Sequence, residues 1–233
     1  IMKEILGIIP ARGGSKGIPM KNLVNINGKS LLQYAIESGK ESIYINRLVV
    51  STEDKSIIQE SEKLGCEVVK RPSNLALDHT STNEVISNLL CFLKNNNNYS
   101  PDYIINIQPT APLREAKHID EAVESLISTN ADGIVSVAEV PSHFNPDWQI
   151  KIDENDRLIT YLGEKLSTLQ SRRQELNKTY YRNGAIYACP TSTFEKYNNM
   201  YGDITLAYLM PLNKSINIDT EDDLFLAKQY LNQ

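Results

Sequence analysis

The chain has 233 residues with a formal net charge of −5. That balance excludes a general nucleic-acid or membrane-surface binder, so an anionic ligand must meet a local cluster of cations. Hydrophobic residues at 41 % and charged residues at 23 % fit one large α/β domain with ample core, or one domain carrying a modest insertion.

Residues 3–10 (KEILGIIP) form a short apolar run ending at proline, as a buried parallel strand reads. Leu31, Leu32, Ala35, Ile36 and Gly39 then fall on one helical face. Residues 47–51 (RLVVS) predict a second strand, 54–64 a helix with Ile57, Ile58 and Leu64 inward, and 67–70 a third strand. Val85, Ile86, Leu89, Leu90 and Leu93 mark another helix, with the asparagine run 95–98 expected as a loop that ends it. Residues 103–108 are a strand, and Ile119, Ala122, Val123, Leu126 and Ile127 give strict helical spacing before a strand at 133–139. Strand and helix alternate this far, which predicts right-handed βαβ units and a doubly wound, mostly parallel sheet.

The rhythm then breaks. Residues 141–178 are polar, hold Trp148 and contain short alternating pieces such as 148–152, the pattern of an arm leaving the sheet. Residues 184–189 resume the sheet, and the chain is expected to end with a strand at 215–219 and a helix capped by Thr220. Cys66, Cys91 and Cys189 lie far apart, as structural thiols of a reducing cytosol do. With no leader and no apolar run long enough to span a bilayer, a cytoplasmic location and no membrane partner are expected.

The densest chemical signal is residues 10–22 (PARGGSKGIPMKN), directly after the first strand, where open α/β sheets place their ligand loops. Gly13, Gly14 and Gly17 let backbone approach an anion, while Arg12, Lys16 and Lys21 supply positive charge. Neither GxxxxGK[ST] nor GxGxxG is present, which weakens a kinase, GTPase or dinucleotide reading. Taken alone, the segment is either a polyphosphate loop or a solvated Gly/Lys turn.

Further along stand Arg71-Pro72 with Leu75-Ala76 and Asp78, the run QPTAPLR at 108–114, Arg173-Gln174, NGAIY at 183–187, and Ile218-Asp219-Thr220. With the 10–22 loop, these resemble six ordered motifs of the acylneuraminate cytidylyltransferase family, over essentially the whole chain. The resemblance implies a nucleotide-diphospho-sugar transferase-like fold, with residues 1–140 and 179–233 as the catalytic domain and 141–178 as an inserted dimerisation arm. It implies transfer of CMP from CTP to the anomeric hydroxyl of N-acetylneuraminate, with release of pyrophosphate and a requirement for Mg²⁺. The close alternative is activation of legionaminic acid, and the alternative of another class is a non-catalytic CTP-binding module.

By the same resemblance, Arg12 and Lys21 hold the triphosphate together with Gly13, Gly14, Ser15 and Lys16. Asn22, Arg71 and Thr82 contact the nucleotide, with Arg71 reading cytosine. Gln108, Thr110, Asn183 and Tyr187 meet the sugar, and Arg173 reaches the partner's site in a homodimer to pair with the sugar carboxylate. Asp219 holds Mg²⁺, although its position also suits a helix cap. Relatives read Asp-Ile-Asp where this chain has Asn217, whose amide oxygen can ligate only without charge. Arg182 directly precedes Asn183, and strand alternation points it to the other face, so it is not expected among the sugar ligands. Arg114 is expected to hold its loop, through a salt bridge. His79, His118 and His143 show no metal-ligand spacing.

Overall fold

The computed structural model describes residues 3–15, 17–169 and 172–232. In chain order the elements are β1 (Ile5–Pro10), β2 (Asn25–Ile26), β3 (Lys29–Ser30), α1 (Leu31–Lys40), β4 (Arg47–Thr52), α2 (Lys55–Lys63), β5 (Glu67–Lys70), α3 (Thr82–Asn97) and β6 (Tyr103–Asn106). Then follow α4 (Ala116–Thr129), β7 (Gly133–Glu139), β8 (Ile150–Ile152), β9 (Leu158–Thr160), β10 (Tyr180–Pro190), α5 (Thr191–Tyr197), β11 (Thr205–Leu209) and α6 (Glu221–Leu231). Seven strands form the main sheet in the order β11-β7-β10-β6-β1-β4-β5. All neighbours are parallel except β10, which runs antiparallel between β6 and β7.

β1 shows why the sheet carries helices on both faces. Ile5 and Ile9 join one core with Leu32 and Ile36 of α1, Ile57 of α2 and Ile119 and Val123 of α4. Leu6 and Ile8, on the opposite face of the same strand, pack with Ile86, Leu89 and Leu93 of α3 and Phe194 of α5. A third cluster fastens the ligand-side loops: Ile18, Leu31, Leu113, Ile216, Ile218 and Leu224 come from five separate stretches of chain. Ser30, Asp54, Ser81 and Thr220 each accept a backbone N–H at the start of their helices. Cys66 and Cys189 are buried, which pushes their thiols up to about 11 and about 12, and Cys91 is exposed.

Two expectations are corrected and a third holds. Residues 215–219 are not a strand. They run as an extended loop whose Ile218 N–H donates to the Thr110 carbonyl at 2.8 Å, and the last strand of the sheet is β11, parallel to β7. The asparagine run does not leave the helix: α3 continues through Asn97, and Asn98 takes a left-handed φ of 51° as its cap. The segment between β7 and β10 does leave the sheet, with β8 and β9 paired as a separate antiparallel hairpin and its base closed by Val140 N–H donating to Thr179 O.

Arg114 also departs from expectation. It is 3 % exposed, and among the described residues no carboxylate pairs with it. Its Nε donates to Ser38 Oγ at 3.2 Å, and Nη1 donates to the carbonyls of Gln108 and Ala185, both at 3.0 Å. Burial without a counter-charge pushes the guanidinium down to about 9, leaving it cationic at neutral pH. Arg114→Ala removes the side-chain donor to the buried Ala185 carbonyl and leaves the Gln108 carbonyl only its 3.4 Å bond from the Ala111 N–H, so unfolding free energy should fall by roughly 1–3 kcal/mol, the cost of one unsatisfied buried acceptor. A urea titration with unchanged slope measures this directly.

Candidate active site

Loops at the carboxyl ends of β1, β5 and β6 and the 217–219 segment enclose a cavity of about 450 Å³. Arg12, Ser15, Lys21 and Asn22 line it from the first loop, Arg71 and Thr82 from the second, and Gln108, Thr110, Asn217 and Asp219 from the remaining two. Lys16 lies outside the described residues. Gly17 explains the close fit of the first loop, since a Cβ there would stand 2.5 Å from the Asp219 carbonyl oxygen.

Each cation of this cavity already faces a carboxylate. Arg12 Nη1 donates to Asp78 Oδ1 at 2.9 Å, and both side chains are partly exposed. Lys21 Nζ donates to Asp219 Oδ1 and to the Ile218 carbonyl, both at 2.8 Å. Arg71 is 4 % exposed, and its Nε donates to Glu53 Oε2 at 2.8 Å. Its Nη2, also buried, has no hydrogen-bond partner among the described residues. A buried donor on a cavity wall is an invitation to a ligand acceptor. Asn22 braces the loop by donating from Nδ2 to the Arg12 carbonyl at 2.9 Å.

Glu53 escaped the sequence reading. Its Oε1 accepts from the Gly13 N–H at 2.7 Å while Oε2 holds Arg71, so one carboxylate joins the glycine loop to the buried arginine. Its position directly after β4, at the same sheet edge as the other loops, was the available signal. Gly13 therefore gives its amide to Glu53, and neither Gly13 nor Gly14 lines the cavity.

Asp78 and Asp219 are the carboxylates that line the cavity, and Mg²⁺ commonly takes one or two carboxylates with substrate phosphates and water. The donor set fits one such ion through Asp219. Asn217 does not present its oxygen there: its Nδ2 donates to Asp219 Oδ2 at 3.2 Å, and its buried Oδ1, beside Gly184, has no partner among the described residues. Among the described residues no three acidic, His or Cys side chains cluster as a metal centre.

A smaller cavity of about 180 Å³ shares Thr82 and Gln108 with the first and adds Asn106, Arg182, Tyr187 and Tyr201. Asn183 is not in it. This residue is 1 % exposed and fully occupied: Nδ2 donates to Ser215 Oγ at 2.9 Å, and Oδ1 accepts from Ser136 Oγ at 2.6 Å. Its role is to hold β10 in shape rather than to touch a ligand. Arg173 sits exposed on the arm and lines neither cavity.

Arg182 reverses its expectation. β10 slips register between Arg182, opposite Val137, and Tyr187, opposite Val135. Four residues of β10 between these pairs thus stand against one of β7, and both side chains emerge on one face. Gly184 supplies the positive φ of 74° that this bulge needs.

Comparison with known proteins agrees with this geometry. A cytidylyltransferase family model matches residues 6–215. An N-acylneuraminate cytidylyltransferase of Streptococcus agalactiae serotype V is 32 % identical over 95 % of this chain, which spans 52 % of that relative's length. A pseudaminic acid cytidylyltransferase of Campylobacter jejuni is 30 % identical, covering 96 % of this chain and 94 % of its own. A CMP-N,N'-diacetyllegionaminic acid synthase of Legionella pneumophila is 30 % identical over 98 % and 96 %. The fold is shared with a CMP:2-keto-3-deoxy-manno-octonic acid synthetase solved with CTP, at a TM-score of 0.70 and 16 % identity over 99 % of both chains. No helix among the described residues is long and apolar enough to cross a membrane. With a family match spanning nearly the whole chain and the expected loops meeting around one cavity, this chain belongs to the cytidylyltransferase family.

Proposed function

We propose that the chain transfers CMP from CTP to the anomeric hydroxyl of a nine-carbon sugar acid, N-acetylneuraminate, and releases pyrophosphate. The anomeric oxygen forms a bond to the α-phosphorus of CTP, the bond to the α,β-bridging oxygen breaks, and the hydroxyl proton passes to solvent. The observation carrying this reading is the convergence of Arg12, Lys21, Asp219 and the unpartnered Nη2 of Arg71 on one cavity.

Phosphoryl transfer of this kind rests on positioning and charge neutralisation. Arg12 and Lys21 exchange their carboxylate partners for the triphosphate and stabilise the departing pyrophosphate. Ser15 and Asn22 shape the loop around it, and Thr82 meets the ribose. Arg71, held rigid by Glu53, offers Nη2 to cytosine N3. The same ring position in uracil carries an N–H, which repels that donor. Asp219 would hold a Mg²⁺ ion, which when bound neutralises charge on the phosphate oxygens. Gln108, Thr110 and Tyr187 form the acceptor side.

Exposed Phe144, Ile152, Tyr161 and Leu162 on the arm support its use as a dimer interface. We read residues 141–178 as the dimerisation arm and Arg173 as a guanidinium that this arm delivers to the partner's acceptor site.

A pyrophosphate-release assay tests the function against N-acetylneuraminate, N,N'-diacetyllegionaminate and pseudaminate. CTP should be used far ahead of UTP, EDTA should abolish turnover, and N-acetylneuraminate should be the best acceptor. No release with any acid would leave a CTP-binding module instead. Better turnover of either other acid would reassign the substrate.

The phosphate loop has its own expected signature. Arg12→Ala and Lys21→Ala should each lower kcat/KM for CTP roughly 100- to 1,000-fold, the loss seen when one transition-state donor is removed. Near-normal activity in both would move the phosphate site elsewhere.

Subunit mixing tests Arg173. Arg173→Ala and Asp219→Asn should each be nearly inactive alone. After exchange, about half the dimers are mixed, and one of their two sites carries neither defect, so about a quarter of wild-type activity should return. No recovery after verified exchange would place Arg173 in its own subunit's site or outside both.

A further inference from the structure

The smaller cavity holds two polar groups that the nucleotide chemistry leaves unused. Arg12, Lys21 and Arg71 each face a carboxylate, whereas the Arg182 guanidinium is met by a neutral group, with Nη1 donating to Tyr201 Oη at 2.7 Å. The Tyr201 ring is in turn held edge-on by Tyr187, at 6.5 Å between centroids and 88° between planes. Asn106, 3 % exposed, stands opposite Tyr187 on the neighbouring strand, and its buried Oδ1 has no partner among the described residues.

These features specify a ligand. The guanidinium calls for an anion, since a charged donor is strongest against a charged acceptor. The orphaned amide oxygen calls for an O–H or N–H, because a buried acceptor left unsatisfied is costly. The cavity adjoins the nucleotide site, since Thr82 and Gln108 line both. Its occupant is therefore the second substrate rather than a separate effector.

We infer that Arg182, aimed by Tyr201 and by the β10 bulge, binds the carboxylate of the acceptor within the same subunit, while Asn106 Oδ1 accepts from a hydroxyl or amide N–H of that sugar. The inference rests on the function proposed above and adds a specificity residue to it. Only the register slip makes this possible, since a regular strand would turn Arg182 away from Tyr187. It also divides the work between the arginines: Arg182 recognises the carboxylate in its own subunit, and Arg173 adds positive charge from the partner.

The test compares each of the three sugar acids with its methyl ester, which keeps the shape and removes the charge. Binding is measured by calorimetry in the presence of CMP for the wild-type protein, Arg182→Gln and Tyr201→Phe. For the tightest-binding acid, Arg182→Gln should weaken affinity roughly 10- to 100-fold, the range of a hydrogen bond to a charged group. The ester should bind both proteins alike, at the weakened level. Tyr201→Phe should give a smaller loss, again confined to the acid. Equal losses for acid and ester would make Arg182 a merely structural residue, and no loss for the acid would give the carboxylate to another cation; either overturns the inference. If the wild-type protein binds none of the three acids, the proposed function itself fails. Acid binding that Arg182→Gln leaves intact removes Arg182 alone.

Discussion

The wall that the two cavities share depends on a buried guanidinium that no carboxylate among the described residues meets. Arg114 ties the loop after β6 to β10 through two carbonyls and reaches α1 through Ser38. These are the points at which three separate elements must meet for Gln108 to face the cavity. A charge taken out of water is tolerated only when strong dipoles surround it. The Gln108 and Ala185 carbonyls and the fixed cation thus support one another, which ties the loop after β6 to the antiparallel strand crossing the sheet.

The nucleotide side follows another logic. Its three cations are graded by burial, from Arg12 at 32 % side-chain exposure through Lys21 at 16 % to Arg71 at 4 %. Exposed ion pairs contribute little to stability and exchange readily, so Arg12 and Lys21 can trade Asp78 and Asp219 for phosphate oxygens. Arg71 cannot trade Glu53 at comparable cost, because a separated buried pair leaves an uncompensated charge. A movable pair of cations suits a group that must enter and leave. An immovable arginine suits a base that must be read. Glu53 joins the two by holding Arg71 and the Gly13 amide with its two oxygens.

The bulge in β10 is the device that gives the small cavity its character. Ser136 Oγ donates to Asn183 Oδ1 at 2.6 Å and accepts from the Ile186 N–H at 2.7 Å, so a single hydroxyl fastens both ends of the irregular stretch. Asn183 shapes this stretch of β10 from within the core. Gly184 brings β10 close to Asn217 and Gln108, where a Cβ would lie 3.2–3.3 Å from their side chains.

Much was legible in the sequence because it is local. Apolar spacing gave the helices α1, α2, α3 and α4, apolar runs gave the parallel strands, and the break after Glu139 gave the arm. The glycine-rich loop and its ordered companion motifs gave the family. What the sequence could not reveal depends on contacts between distant positions. Short β11 alternates too weakly to stand out, and the 215–219 run is apolar enough to pass for a strand although it pairs with no strand among the described residues and donates from Ile218 to the Thr110 carbonyl. Glu53 reads as a helix-start acid until Gly13 and Arg71 arrive beside it from either side of the sequence. Arg182 shows the limit most sharply. The period-2 rule assigns it to the wrong face, since a strand's side-chain direction counts residues and a bulge changes the count. Whether a bulge forms is decided across the sheet, by Ser136 and the register of β7, so local spacing determined the fold class and the ordered motifs the family, and only tertiary pairing decided which side chains share the wall of the small cavity.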